Sequence, residues 1–90
     1  MKTGKLKNYD FEWQVEENII NDMRFLELLI DVEKGNPLAI IKLVTRLFGE
    51  EQKEALYDVI ENEEGRVDVE LFGEIVSEII LAIGESGKNS

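Results

Sequence analysis

The sequence predicts an all-α fold, a small bundle of about four helices with an extended N-terminal arm. Two observations support this prediction. Apolar residues recur at helical spacing in successive segments between Asn21 and Ile83, and these segments are bounded by residues that begin or end helices. With 90 residues the chain can close one hydrophobic core, and a single helical domain is expected over residues 9–84.

The N-terminal part of the chain follows a different pattern. Residues 1–8 are predicted to form a flexible basic tail. In the segment Tyr9–Val15, aromatic or apolar residues alternate with polar ones, which is typical of a half-buried strand. No second strand is visible in the sequence, so we expect this segment to pack as an extended arm or to pair with another chain.

The first helix is predicted from Asn21 to Glu33, with Asn21 or Asp22 as its cap and Gly35 as its C-terminal stop. Apolar residues occupy most of its circumference. Its polar residues share one narrow arc: Arg24, Glu27 and Asp31. A helix of this kind is too apolar to have only one buried side.

Two further helices are predicted in the middle of the chain. Asn36 and Pro37 favour a helix start, because Asn accepts free amide hydrogens and Pro loses nothing at the first helical position. Gly49 is expected to end this helix, and residues 50–62 form a third, more polar one. Leu38 falls on the polar side of the second helix.

The last helix is predicted to begin at the N-cap Asp68 and to run to about Ile83, where Gly84 stops it. Leu81 lies on its polar side. Residues 85–90 contain no apolar residue and are predicted to form a flexible C-terminal tail.

Charge restricts the classes of partner. The chain has 20 acidic and 10 basic residues and a formal net charge of −10 at pH 7. Such a surface repels phosphate backbones and anionic lipids, so direct nucleic-acid or membrane binding is not expected, whereas a basic or amphipathic protein is a natural complement. The alternative is that the acidity serves solubility alone. The chain has no cysteine and no apolar run long enough to span a bilayer, which favours the cytoplasm.

Catalytic and metal sites are not predicted. The sequence contains no His and no Cys, its hydroxyl residues are scattered, and no glycine-rich loop follows a strand. Aligning Gly65 with the invariant glycine of a helix-loop-helix calcium site places Ile60 and Leu71 where acidic ligands are needed. We therefore expect a protein that is not an enzyme and that uses neither metal nor cofactor.

Five large apolar residues lie outside the clearest core stripes: Trp13, Phe25, Leu28, Leu38 and Leu81. Together with the strongly apolar first helix, they predict a groove or patch that a partner helix occupies. These five are the candidate partner-binding residues, and the small size of the domain also favours self-association into a homo-oligomer.

Several short segments resemble the small tail assembly chaperones of long-tailed bacteriophages and prophages. They are Gly35–Ala39, Leu47–Gln52, Glu64–Val67 and Gly87–Ser90. In that family a fraction of ribosomes slips backward near the end of the gene and produces a longer form. Lys88 and Asn89 are compatible with the codons AAA AAC of a slippery site.

The resemblance implies a role in tail morphogenesis within the bacterial host cell. The partner would be the tape measure protein, which the chaperone keeps soluble while tail tube subunits assemble around it. Two other classes remain open. One is an acidic inhibitor that mimics nucleic acid and occupies a DNA-binding protein, and the other is a minor structural component of the virion.

Overall fold

Three α-helices pack with a two-stranded antiparallel β-sheet in the computed structural model, which describes the backbone of residues 1–88 and the side chains of residues 1–84. The elements are β1 (Lys2–Lys5), β2 (Glu12–Val15), a short 3-10 helix (Ile19–Asn21), α1 (Met23–Glu33), α2 (Pro37–Ile60) and α3 (Val69–Lys88). The predicted all-α bundle of about four helices with an N-terminal arm is therefore wrong.

The second strand comes from the segment that was predicted to be a flexible tail. β1 pairs with β2 so that Lys2 lies opposite Val15 and Gly4 opposite Trp13. The alternation around β2 does mark a half-buried strand, but its partner belongs to the same chain. β1 was missed because its inward positions are a lysine and a glycine rather than apolar residues. Gly4 is needed there, since an added Cβ would lie 2.2 Å from Cζ2 of Trp13.

The predicted second and third helices are the two halves of α2, which kinks at Gly49. Gly49 has φ 83° and ψ 167°, a conformation that is essentially restricted to glycine. The side-chain amide of Gln52 stabilises the kink by donating to the Phe48 carbonyl at 3.0 Å. The same amide accepts from the Gln14 N–H and donates to the Gln14 carbonyl, both at 2.8 Å. It therefore covers the outer edge of β2 as a neighbouring strand would.

α3 begins where the sequence predicts, since Asp68 accepts a hydrogen bond from the Leu71 N–H at 3.0 Å. It does not end at Gly84, as predicted, but continues to Lys88. Most of the predicted C-terminal tail is thus helical, and its last two positions, 89–90, lie outside the described residues.

One core joins all the elements. α1 and α3 both pack against α2, and the sheet contacts α2 and α3. The most deeply buried large side chains come from β2 and all three helices: Val15, Phe25, Leu43, Val44, Leu56, Ile79 and Ile83. This arrangement leaves the start of α2 and the start of α3 at the surface.

Candidate binding surface

The structure separates the five predicted partner-binding residues into three groups. Trp13 and Phe25 are only 5% and 1% exposed, so they belong to the core and cannot reach a partner in this conformation. Leu28 is half-buried. Leu38 and Leu81 are 69% and 66% exposed. Of the five predicted residues, these two leucines are the ones that a partner can reach freely, and their role in binding stays a prediction.

An open apolar cleft lies at the surface beside Leu38. Its volume is about 240 Å³. It is bordered by residues from the start of α2, the end of α2 and the start of α3: Pro37, Leu38, Ile40, Ile41, Tyr57, Val67, Val69 and Phe72. Leu38 and Val69 project from its rim, and Val69 is 61% exposed. Phe72 is buried and packs against Tyr57 with a ring separation of 5.2 Å.

The kink at Gly49 makes this cleft possible. In a straight helix with a rise of about 1.5 Å per residue, Ile41 and Tyr57 would be roughly 24 Å apart, and Pro37 and Tyr57 about 30 Å apart. All three border one cleft of 240 Å³. The two halves of α2 must therefore fold toward each other at the glycine, and the cleft lies between them and α3.

Local hydrogen bonds fix the walls of the cleft. The side chain of Asn36 accepts from the Leu38 N–H at 3.1 Å and holds the first turn of α2. In the turn before α3, the Asn62 side chain accepts from the backbone N–H groups of Glu64 and Arg66 at 2.9 and 3.0 Å. Asp68 then caps α3. Side-chain hydrogen bonds thus hold the first turn of α2, the turn before α3 and the first turn of α3, which carry most of the walls of the cleft.

The cleft is bordered on one side by a strongly acidic segment. Residues 58–70 join Tyr57 to α3, and they contain six exposed carboxylates and one arginine. That arginine, Arg66, lies 3.6 Å from the carboxylate of Glu64. Two wall residues of the cleft belong to this segment, so its carboxylates are next to wall residues in the sequence. We call the segment 58–70 the acidic rim of the cleft, and its charge favours a positively charged partner.

A second apolar surface lies on α1. Met23, Leu26 and Ile30 are exposed and are spaced by three and four residues, so they share one face of the helix. The sequence predicted that the first helix is too apolar to have only one buried side, and this exposed stripe lies outside its buried face. Leu28 lies elsewhere on α1 and borders a shallow groove with Ile41, which is also a wall residue of the cleft.

The ionised side chains with shifted pKa values form structural ion pairs. A hydrogen bond from Arg46 lowers the pKa of Asp22, the cap of α1, and the same contact raises the pKa of Arg46. Glu50, 2.9 Å away, raises the pKa of the buried Lys53. A lysine held in its charged form is a poor nucleophile. None of these side chains borders the cleft.

Within the part of the chain that the structure describes, no cluster of acidic side chains is suited to hold a metal ion.

Most of the residues that form the cleft were not among the predicted site residues. They include Ile41, Tyr57, Val67, Val69 and Phe72. The start signals of the helices, Asn36 and Asp68, were the available clue, since they place these side chains at exposed helix ends.

None of the helices within residues 1–88 combines the length and the apolar character needed to cross a membrane. Comparisons of the chain with protein-family models, with curated proteins and with solved structures found no match.

Proposed function

We propose that this protein is a cytoplasmic, non-enzymatic assembly chaperone of a bacteriophage or prophage tail. It binds the tape measure protein and keeps it soluble while the tail tube assembles. The observation that carries the proposal is the exposed apolar surface, which consists of the cleft beside Leu38 and the stripe Met23, Leu26 and Ile30 on α1. Contiguous apolar surface on a small domain commonly marks a protein interaction site.

The acidic charge supports the same proposal. A tape measure protein is a long helical chain whose apolar faces aggregate when they are exposed to water. A chaperone that covers such faces while it adds a net charge of −10 increases the repulsion between complexes. The resemblance of the segments Gly35–Ala39 and Leu47–Gln52 to tail assembly chaperones supports a tape measure protein as the partner.

The proposal is tested by co-expressing this protein with its tape measure protein, which we expect to be a long helical chain encoded by a neighbouring gene. We expect the partner to move into the soluble fraction and to co-purify with this chain. An unrelated acidic protein of similar size and charge serves as the control, because it supplies repulsion without the apolar surface. If the partner is equally insoluble with and without this chain, the chaperone function is wrong.

Two measurements separate the alternatives. A nucleic-acid mimic would bind a basic DNA-binding protein through carboxylates, and that complex would dissociate as salt is raised. Apolar contacts with a tape measure protein would survive the same salt. A structural virion component would be found in purified particles, whereas an assembly chaperone would be absent from them.

A further inference from the structure

The cleft beside Leu38 has the size of an anchor pocket. A cavity of about 150 Å³ is sufficient to bind a benzene molecule, and this cleft has a volume of about 240 Å³. It can therefore receive one aromatic side chain or a pair of aliphatic side chains from a partner. Its walls are apolar, so a polar group inserted there would lose its hydrogen bonds to water.

The backbone around the cleft indicates which conformation the occupant has. Pro37 has no N–H, the Leu38 N–H is bonded to Asn36, and the N–H groups of Leu71 and Phe72 are bonded to Asp68. An extended peptide would leave most of its own backbone groups unpaired against these apolar walls. An α-helix satisfies its backbone internally and presents only side chains.

The charge of the rim indicates the chemistry of the occupant. Six exposed carboxylates lie within residues 58–70, beside the cleft. The two helix N-termini at the cleft contribute roughly half a positive charge each, which is much less than these carboxylates carry. Lysine and arginine side chains next to the apolar face of a bound helix would meet this rim favourably.

We infer that the cleft binds an amphipathic helix of the partner whose apolar face is flanked by lysine or arginine side chains. The inference rests on the proposed function, because it names the segment of the partner that the chaperone recognises. One large apolar residue of that helix enters the cleft between Leu38 and Val69, and its basic residues lie against the segment 58–70.

The test uses the full chain and two synthetic helical peptides of about 20 residues, a length that spans several helical turns. Both peptides carry leucines at i, i+3, i+4 and i+7. One has lysine and arginine beside the leucines, and the other has glutamate. Binding is measured by fluorescence anisotropy at physiological salt. We expect the basic peptide to bind at least about tenfold more tightly than the acidic one, a difference of about 1.4 kcal/mol.

The location is tested with matched variants. Leu38→Asp and Val69→Asp place a carboxylate on the two sides of the cleft, whereas Ser77→Asp adds the same charge at an exposed position of α3 that does not border it. We expect the two cleft variants to weaken binding of the basic peptide by about tenfold or more, as for an interface anchor, and Ser77→Asp to leave it unchanged. Circular dichroism and Trp13 fluorescence verify that each variant folds.

Three outcomes would overturn the inference. The first is a similar loss of affinity in all the variants, or no loss in any. The second is equal binding of both peptides. The third is undiminished binding of a basic peptide in which proline prevents helix formation. These experiments distinguish a failure of this inference from a failure of the proposed function. If co-expression rescues the tape measure protein even with Leu38→Asp, the cleft is not the site although the function stands. If the basic peptide binds the cleft but co-expression fails, the chaperone function is wrong, and the cleft is a site for a basic amphipathic helix of a different protein.

Discussion

Replacing Gly49 by alanine tests the link between the kink and the cleft. The added Cβ meets no atom within 4 Å, so any effect must come from the backbone conformation rather than from a clash. At φ 83° and ψ 167° Gly49 occupies a region that L-residues avoid, and holding alanine there costs about 1–3 kcal/mol. Alanine also favours a regular helix over glycine by roughly 1 kcal/mol. The kinked form should therefore lose about 2–4 kcal/mol relative to a straight α2.

The assay is thermal unfolding followed by circular dichroism and by the fluorescence of Trp13, which is the single tryptophan of the chain. The strain of about 1–3 kcal/mol is the cost to the kinked fold. Each kcal/mol lowers the melting temperature of a domain of this size by about 4–8 °C, so Gly49→Ala should melt roughly 4–24 °C lower. If a straightened α2 is populated instead, Ile41 and Tyr57 would move about 24 Å apart, and binding of the basic peptide would be lost.

Gly73→Ala is the matched control. Gly73 also has no atom within 4 Å of an added Cβ, but it lies inside α3 with a backbone that alanine adopts readily. We expect this variant to be more stable than the wild type by about 0.5–1 kcal/mol. The diagnostic result is that Gly49→Ala lowers the free energy of unfolding whereas Gly73→Ala raises it. If Gly49→Ala is as stable as the wild type, the kink does not require glycine and the reasoning is refuted.

Gln52→Ala removes three hydrogen bonds to backbone groups and should destabilise the fold by about 1.5–3 kcal/mol in urea unfolding; no change would exclude its role at the sheet edge. Gly4→Ala should lower stability by about 1–3 kcal/mol and alter Trp13 emission, because the new Cβ meets the indole ring. Arg46 lowers the pKa of Asp22 in the folded protein. The contribution of this ion pair to folding stability is therefore present above the ordinary pKa of 3.8 and is lost as pH falls through the lowered pKa of the folded state. Asp22→Asn should therefore destabilise at pH 7 and match the wild type more closely in acid, as unfolding at each pH will measure.

The helix starts could be read from the sequence because they depend on local chemistry. Asn36 with Pro37, and Asp68, act as caps through hydrogen bonds to residues only two or three positions away. Gly49 marks the kink for a similarly local reason, since its conformation excludes other residues. The prediction that the last helix stops at Gly84 was wrong, because a glycine inside a helix costs only about 1 kcal/mol and tertiary contacts can overcome that penalty.

The sheet and the surface could not be read in this way. β1 carries no apolar alternation, and only its pairing with Trp13 explains the glycine at position 4. Phe25 lies on the buried face of α1 together with Leu28, Leu29 and Val32. A helical wheel could not separate this face from the exposed stripe on the same helix, because apolar residues occupy most of the circumference and the wheel leaves out the elements that cover one side.

Some residues of the cleft can be changed with little effect on the stability of the fold, whereas others contribute both to the fold and to the cleft. Leu38 is 69% exposed, so removing its side chain gives up little buried surface in the free protein and would be felt mainly in a complex. Phe72 is 5% exposed and packs on Tyr57, so its loss would weaken the core and the cleft together. A surface whose outer residues contribute so little to folding is free to vary with its partner, while the buried aromatic pair keeps its shape. For this reason variants at Leu38 and Val69 can report on the partner without the ambiguity of a damaged fold.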